Sequence, residues 1–212
     1  MENTSHDEPL FDDHAAEQYL RELVQQASAG ILAAQATRLA ATGAAVAAVA
    51  GDVFLNARAV ANAAAMISKV LWPGQMRRAS GEDEQQFDRR KQLAEDRGPA
   101  LRKVLGVSDD SPLKNRAVRD AIEHFDERLD RRLSSPDRNI VLNSQGPPNM
   151  IHMEGVTEPF YLHHYDPQTT EYTILGDSMS ITEVEQALVH LFNAAMQEQA
   201  AIQQRRWGHA QV

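Results

Sequence analysis

The chain contains no cysteine, which excludes disulfide staples, thiolate metal sites and thiol nucleophiles and suits a reducing compartment such as the cytoplasm. It also lacks a membrane-type apolar run. The most apolar segment, Leu39 to Val60, owes its character to alanine and carries Asp52 and Arg58, so no membrane span is expected. The start, Met1-Glu2-Asn3-Thr4-Ser5-His6-Asp7-Glu8, is polar and acidic, unlike a secretion signal, and residues 1–12 read as a flexible leader. Basic charge is in deficit: 21 lysines and arginines face 30 aspartates and glutamates, a formal net charge of −9. An average surface of that sign repels phosphate and leaves room only for a local basic site. No G-x-x-x-x-G-K-[ST] or G-x-G-x-x-G loop occurs, and Ser134, Ser135, Ser144 and Ser178 lack the strand–turn–helix setting of a nucleophile elbow. No cofactor is expected.

What is present is helical periodicity. At 212 residues the chain fits a single domain over 13–212, with a β insertion at 139–176. Ala15, Tyr19, Leu23, Ala27 and Ile31 recur at helical spacing from Asp13 onward. Thr37 to Trp72 is so rich in alanine that it predicts one long helix, or two joined near Gly43 or Gly51, ended by Pro73-Gly74. Trp72 reads as an anchor for that helix end. Gln75 to Gly98 is charged, with a solvated loop at Ser80-Gly81-Glu82-Asp83 and a short surface helix from Phe87 to Arg97. Ser111-Pro112 is a strong helix start, capped by the serine hydroxyl, and the helix is expected to run to about Leu133. Its apolar stripe is Val118, Ile122, Phe125, Leu129 and Leu133.

Beyond Ser134-Ser135-Pro136-Asp137 the texture changes to short runs rich in β-branched and aromatic residues: Ile140–Leu142, Phe160–Leu162 and Tyr172–Leu175. Asp166-Pro167-Gln168-Thr169 is a turn sequence, so Phe160–Tyr165 and Glu171–Leu175 should pair as an antiparallel hairpin. Ser180-Ile181-Thr182-Glu183 reads as a capping box opening a last long helix with Ile181, Val184, Leu188, Leu191, Ala195 and Ile202 inside. The expected fold is mainly α: a bundle of about four major helices with a small antiparallel hairpin or three-stranded sheet inserted before the last.

The third helix carries the chemistry. At about 100° per residue, Arg116, Asp120, His124 and Glu127 lie away from the apolar stripe, with Arg119 and Glu123 on its flank. Asp120, one turn before His124, is placed to hold the imidazole and favour its protonated form. Arg119 can neutralise a phosphoryl group. Arg119 and His124 stand roughly 140° apart, so a neighbour or partner must bring their groups together.

Arg119-Asp120-Ala121-Ile122-Glu123-His124 resembles the R-polar-x(3)-H motif of the HEPN superfamily, helical bundles that often act as metal-independent ribonucleases. The resemblance implies that Arg119 and His124 form a catalytic pair, that Asp120 is the polar residue after the arginine, and that two copies of the helix face each other in a homodimer. It further implies an RNA substrate cleaved by attack of the ribose 2′-hydroxyl on the adjacent phosphate, and a toxin or antiviral setting with an antitoxin or other protein partner. The superfamily layout would cover Asp13–Leu133 and the final helix, the β segment being an insertion. Asp126 stands where one toxin branch carries tyrosine.

Two other readings stand beside it. Arg116, Asp120, Glu123, His124 and Glu127 equally describe a salt-bridged solvent face, in which case the chain is a non-catalytic interaction protein that dimerises or docks partners through its alanine-rich helix. His163-His164, adjacent on a strand, should point to opposite faces, one on the surface and one partly buried. Even with His152, they supply no metal-ligand spacing.

Overall fold

The computed structural model describes residues 11–43, 52–115, 117–136, 139–148, 150 and 160–209, without the side chains of 119 and 207–209. Residues 1–10 of the expected leader fall outside this set. Asp12 already belongs to the fold, because its carboxylate accepts from the backbone N–H of Ala15 at 2.8 Å and caps α1, Asp13–Ala41. The buried positions of α1 are Glu17, Leu20, Leu23, Ala27, Gly30, Ala34 and Thr37, which from Leu20 onward alternate three and four apart and so track the 3.6-residue turn. The expected four-residue spacing drifts off it, leaving Tyr19 and Ile31 only half buried.

The alanine-rich stretch does not form one helix. Gly43 adopts a left-handed φ of 64° after α1 ends, and α2 starts afresh at Val53–Leu71, with the Asp52 carboxylate capping Phe54 and Leu55. Whatever joins them at 44–51 lies outside the described residues. Alanine lets α1 and α2 approach closely, and α6, Ile181–His209, completes the layer. Where the three meet, Gly30 leaves space that Leu188 and Ala63 fill: a Cβ there would stand 2.6 Å from Leu188 Cδ1 and 3.0 Å from Ala63 Cβ. The core is aliphatic, with Leu20, Leu23, Val60, Ile67, Leu71, Val184, Leu188 and Leu191 buried.

The surface helix expected over Phe87–Arg97 is longer: α3 runs Glu84–Leu105 straight through Pro99. Proline removes one helical hydrogen bond, and the carbonyl it frees belongs to exposed Glu95, where water can serve it. The outcome is fixed by docking onto the end of α2. Arg97 donates to the carbonyl of Val70 at 3.2 Å and to the Tyr19 hydroxyl at 2.9 Å, and Arg102 donates to the carbonyl of Leu71. Two arginines of α3 thereby satisfy carbonyls that the end of α2 leaves open. Trp72 is buried as the sequence suggests, its indole N–H donating to Asp109 at 2.8 Å.

The helix expected from Pro112 to Leu133 is broken. Ser111 caps only a 3₁₀ turn, Pro112–Lys114, followed by α4, Ala117–Glu123, and α5, Phe125–Leu133. Between the last two, His124 takes φ −112° and ψ 36°, outside the helical region. Backbone bonds from His124 N to Asp120 O and from Arg128 N to His124 O, both 3.0 Å, keep the two pieces in sequence across the kink. The stripe is correspondingly uneven: Val118 is buried, Ile122, Phe125 and Leu129 are half buried, and Leu133 is exposed.

The insertion is a four-stranded mixed sheet, which corrects the small antiparallel sheet expected. Its order is β1 (Ile140–Gln145), β2 (Phe160–Asp166), β3 (Glu171–Ile174) and β4 (Asp177–Ser180), with β1 parallel to β2 and the other pairs antiparallel. The β2–β3 hairpin is the one the turn sequence predicts. The fourth strand arises because Leu175 and Gly176 both take positive φ, 50° and 89°, making a two-residue hairpin turn of the type that matches strand twist. β4 then runs directly into α6, where Ser180 Oγ accepts from Glu183 N at 3.2 Å.

Candidate functional site

α4 and α5 are held to the body by their inner faces. Val118 and Ala121 are buried, and the Phe125 ring stacks against His163 of β2 with centroids 6.4 Å apart. What these anchors leave outward is the charged face. Asp120 is half buried. His124, at the kink, has 56% of its side chain exposed, and its Nδ1 faces Glu127 Oε2 at 3.5 Å. Glu123 is tied sideways to α2 by a 2.5 Å ion pair with Lys69. The imidazole is thus oriented by Glu127, one turn onward, and the link to Asp120 runs through the backbone. The side chain of Arg119 and the whole of Arg116 lie outside the described residues; the Arg119 backbone is in α4.

Below His124 the same helix presents a set of residues that reading the motif alone passes over. Positions 128, 131 and 132 fall on one face of α5. Arg128, Arg131, Arg132 and Ser135 line a cleft of about 330 Å³ closed on its other side by Phe160 and Leu175. Arg128 is ion-paired with Asp177 of β4. Arg132 donates to the carbonyl of Asn139 at 3.3 Å and lies over the Phe160 ring, 4.7 Å from its centroid. The spacing was available in the sequence; its meaning depended on the sheet that forms the far wall.

The two strand histidines differ from expectation. Both are buried, His163 at 8% and His164 at 3% exposure. Their rings do go to different neighbours: His163 packs among Phe54, Phe125 and Tyr172, while His164 stacks on Tyr161 with centroids 4.3 Å apart. The sheet is covered on the side that β2 was expected to expose. Burial lowers the pKa of each below the ordinary 6.5; for His163 the Arg58 charge adds to it, and for His164 the Asp166 charge opposes it. Neither ring nitrogen of His164 has a hydrogen-bond partner among the described residues. The carbonyls of Ser144 and Gly146 incline toward it without reaching bonding geometry.

Among the described residues no group of three His, Asp or Glu side chains is arranged to hold a metal ion; His152 lies outside them. No helix among the described residues is long and apolar enough to cross a membrane. No protein-family model, curated protein or solved structure matches the chain.

Proposed function

We propose that the chain is a HEPN-like, metal-independent ribonuclease with His124 as the proton-transfer group, Arg119 as the phosphate binder and Asp120 as the polar residue of the motif. The reading rests on the placement of His124, which projects from a helix kink into solvent with its Nδ1 facing Glu127. A solvated, accessible imidazole can meet a polymer backbone, whereas a core histidine cannot.

In that reaction Nε2 takes the proton of the ribose 2′-hydroxyl as its oxygen attacks the adjacent phosphorus. The bond from phosphorus to the 5′-oxygen breaks, the leaving oxygen takes a proton from water, the imidazolium returns its proton to the hydroxide so formed, and the products are a 2′,3′-cyclic phosphate and a 5′-hydroxyl end. Arg119 offsets charge building on the non-bridging oxygens. A homodimer brings a second α4–α5 kink opposite the first and closes a groove that the exposed histidine of a single copy lacks.

The test is cleavage of total RNA by purified protein with chelator present. Wild type should cut, and His124→Ala should lose about a hundredfold or more of the rate, the usual weight of a general acid–base group. Expression toxicity relieved by Arg119→Ala points the same way. RNA left intact by wild type under these conditions removes the proposal.

One observation favours a reading from another class, a non-catalytic interaction protein. Leu55 and Met66 are 65% and 43% exposed on the outer face of α2, with Ala59 exposed between them at helical spacing.

A further inference from the structure

We infer that the outer edge of β1 pairs with β1 of a second copy of this chain, antiparallel about a two-fold axis at Leu142, joining two sheets into one. The inference goes beyond the ribonuclease reading: it uses neither His124 nor the α4–α5 kink and stands whether or not the chain cuts RNA.

The edge is open. β1 lies at one end of the sheet order and β4 at the other. Gly146 N donates to Tyr165 O at 3.0 Å, and the groups that face a neighbouring strand recur every second residue. Ile140, Leu142 and Ser144 therefore turn their backbone toward β2, while the N–H and C=O of Val141, Asn143 and Gln145 turn outward. Among the described residues no backbone group of another element reaches these three from outside the sheet. Asn143 and Gln145 are exposed, and Leu142, at 69%, is the most exposed large apolar side chain among the described residues.

The two edges are unlike. β4 is four residues long, carries Asp177 in an ion pair with Arg128 and runs at once into α6; shortness and charge protect an edge from further pairing. β1, Ile140-Val141-Leu142-Asn143-Ser144-Gln145, is six residues long and holds no charge, proline or glycine. A bare edge of that kind is a template for another strand.

Charge and register identify the occupant. With a formal charge of −9, two copies repel over most of their surfaces, and an uncharged strand is where they can approach with no like charges opposed. Antiparallel pairing about Leu142 sets Val141 opposite Asn143 of the second copy and Asn143 opposite its Val141, two pairs that exchange both backbone bonds. Between them the two Leu142 side chains meet as a non-hydrogen-bonded pair, Cβ atoms about 5 Å apart. Assembly closes at two, because the edges that remain are the protected β4 strands. A contact about 20 Å long is smaller than a standard interface, so the dimer exchanges with monomer.

The test is sedimentation velocity of the full-length protein over a range of concentrations, together with amide hydrogen exchange read by NMR. Wild type should form a concentration-dependent dimer. The amides of Val141 and Asn143 should exchange more slowly as concentration rises, while that of Leu142, already turned to β2, is protected throughout. Leu142→Lys sets two ammonium groups face to face and should raise the dissociation constant about tenfold or more, with thermal melting unchanged because the side chain is exposed. Met196→Lys, the same charge change at an exposed apolar site on α6, should shift it by no more than about twofold. Monomer at all concentrations overturns the inference, even where the protein still cleaves RNA. So does a dimer that the two lysine variants weaken equally, or one whose Val141 and Asn143 amides exchange alike at every concentration, as a dimer formed at the α4–α5 kink or the outer face of α2 would.

Discussion

His163 and Tyr172 meet in the buried interior of the sheet, Nδ1 and the hydroxyl oxygen 2.9 Å apart, with the rings parallel to within 7°. The same burial that lowers the histidine raises the tyrosine beyond its ordinary 10.0. Both are therefore neutral partners in the native protein at physiological pH.

A pH dependence follows from this pair together with His164. Their folded pKa values lie below 6.5, so the unfolded chain takes up protons first as pH falls. Stability should be flat above about pH 6.5 and decline below it, before the exposed carboxylates begin to titrate. Denaturant midpoints measured between pH 8 and pH 5 read the decline directly. His164→Phe, which removes one such group without breaking a hydrogen bond, should make the slope shallower. An unchanged slope would mean that the imidazole is not titrating between the two states.

Gly98 faces the end of α2 with no room to spare. A Cβ there would stand 2.8 Å from Pro73 Cδ and 2.9 Å from the Leu71 carbonyl oxygen, one in a rigid proline ring and the other in the backbone. Gly98→Ala should gain about 1 kcal/mol of helix propensity and lose about 1–3 kcal/mol to overpacking, a net drop in Tm by calorimetry. Gly30→Ala, where the near atom is the movable Leu188 Cδ1, should lose less. A Gly98→Ala protein more stable than wild type contradicts this packing.

The outer face of α2 decides between assemblies. If it is an interface, Leu55→Lys with Met66→Lys should convert a wild-type dimer to monomer in sedimentation velocity. A dimer that survives both substitutions places the interface elsewhere, including at the α4–α5 kink. Wild type that stays monomeric at all concentrations removes self-association through α2 and the two-fold arrangement of the proposed ribonuclease alike, and leaves docking of another protein as the interaction reading.

Much of the architecture was written in local patterns, and each miss has a physical cause. The β2–β3 hairpin was legible because Asp166-Pro167-Gln168-Thr169 is strong turn chemistry. β4 was hidden because a leucine, Leu175, occupies a left-handed position normally given to glycine or asparagine. α3 continues through Pro99 because tertiary bonds from Arg97 and Arg102 outweigh one lost helical bond. The parallel pairing of β1 depends on a contact distant in sequence, which periodicity does not encode. At the candidate site the charged face around His124 was visible as spacing. The kink at His124 and the far wall of the arginine cleft belong to packing, so Glu127 as the neighbour of the ring could not be singled out from sequence.

The last helix is laced to the first. Arg205 grips Asp13 through two bonds of 2.9 and 3.0 Å, and Arg206 reaches Glu17 at 2.5 Å, so positions 13 and 205 are side-by-side neighbours. A short peptide could therefore splice them, and the exposed turn at Ser80-Gly81, where a Cβ on Gly81 would meet nothing within 4 Å, could be cut to serve as new ends. Rearranged in this way, the polypeptide would begin at α3 and keep the packing of α1 against α2.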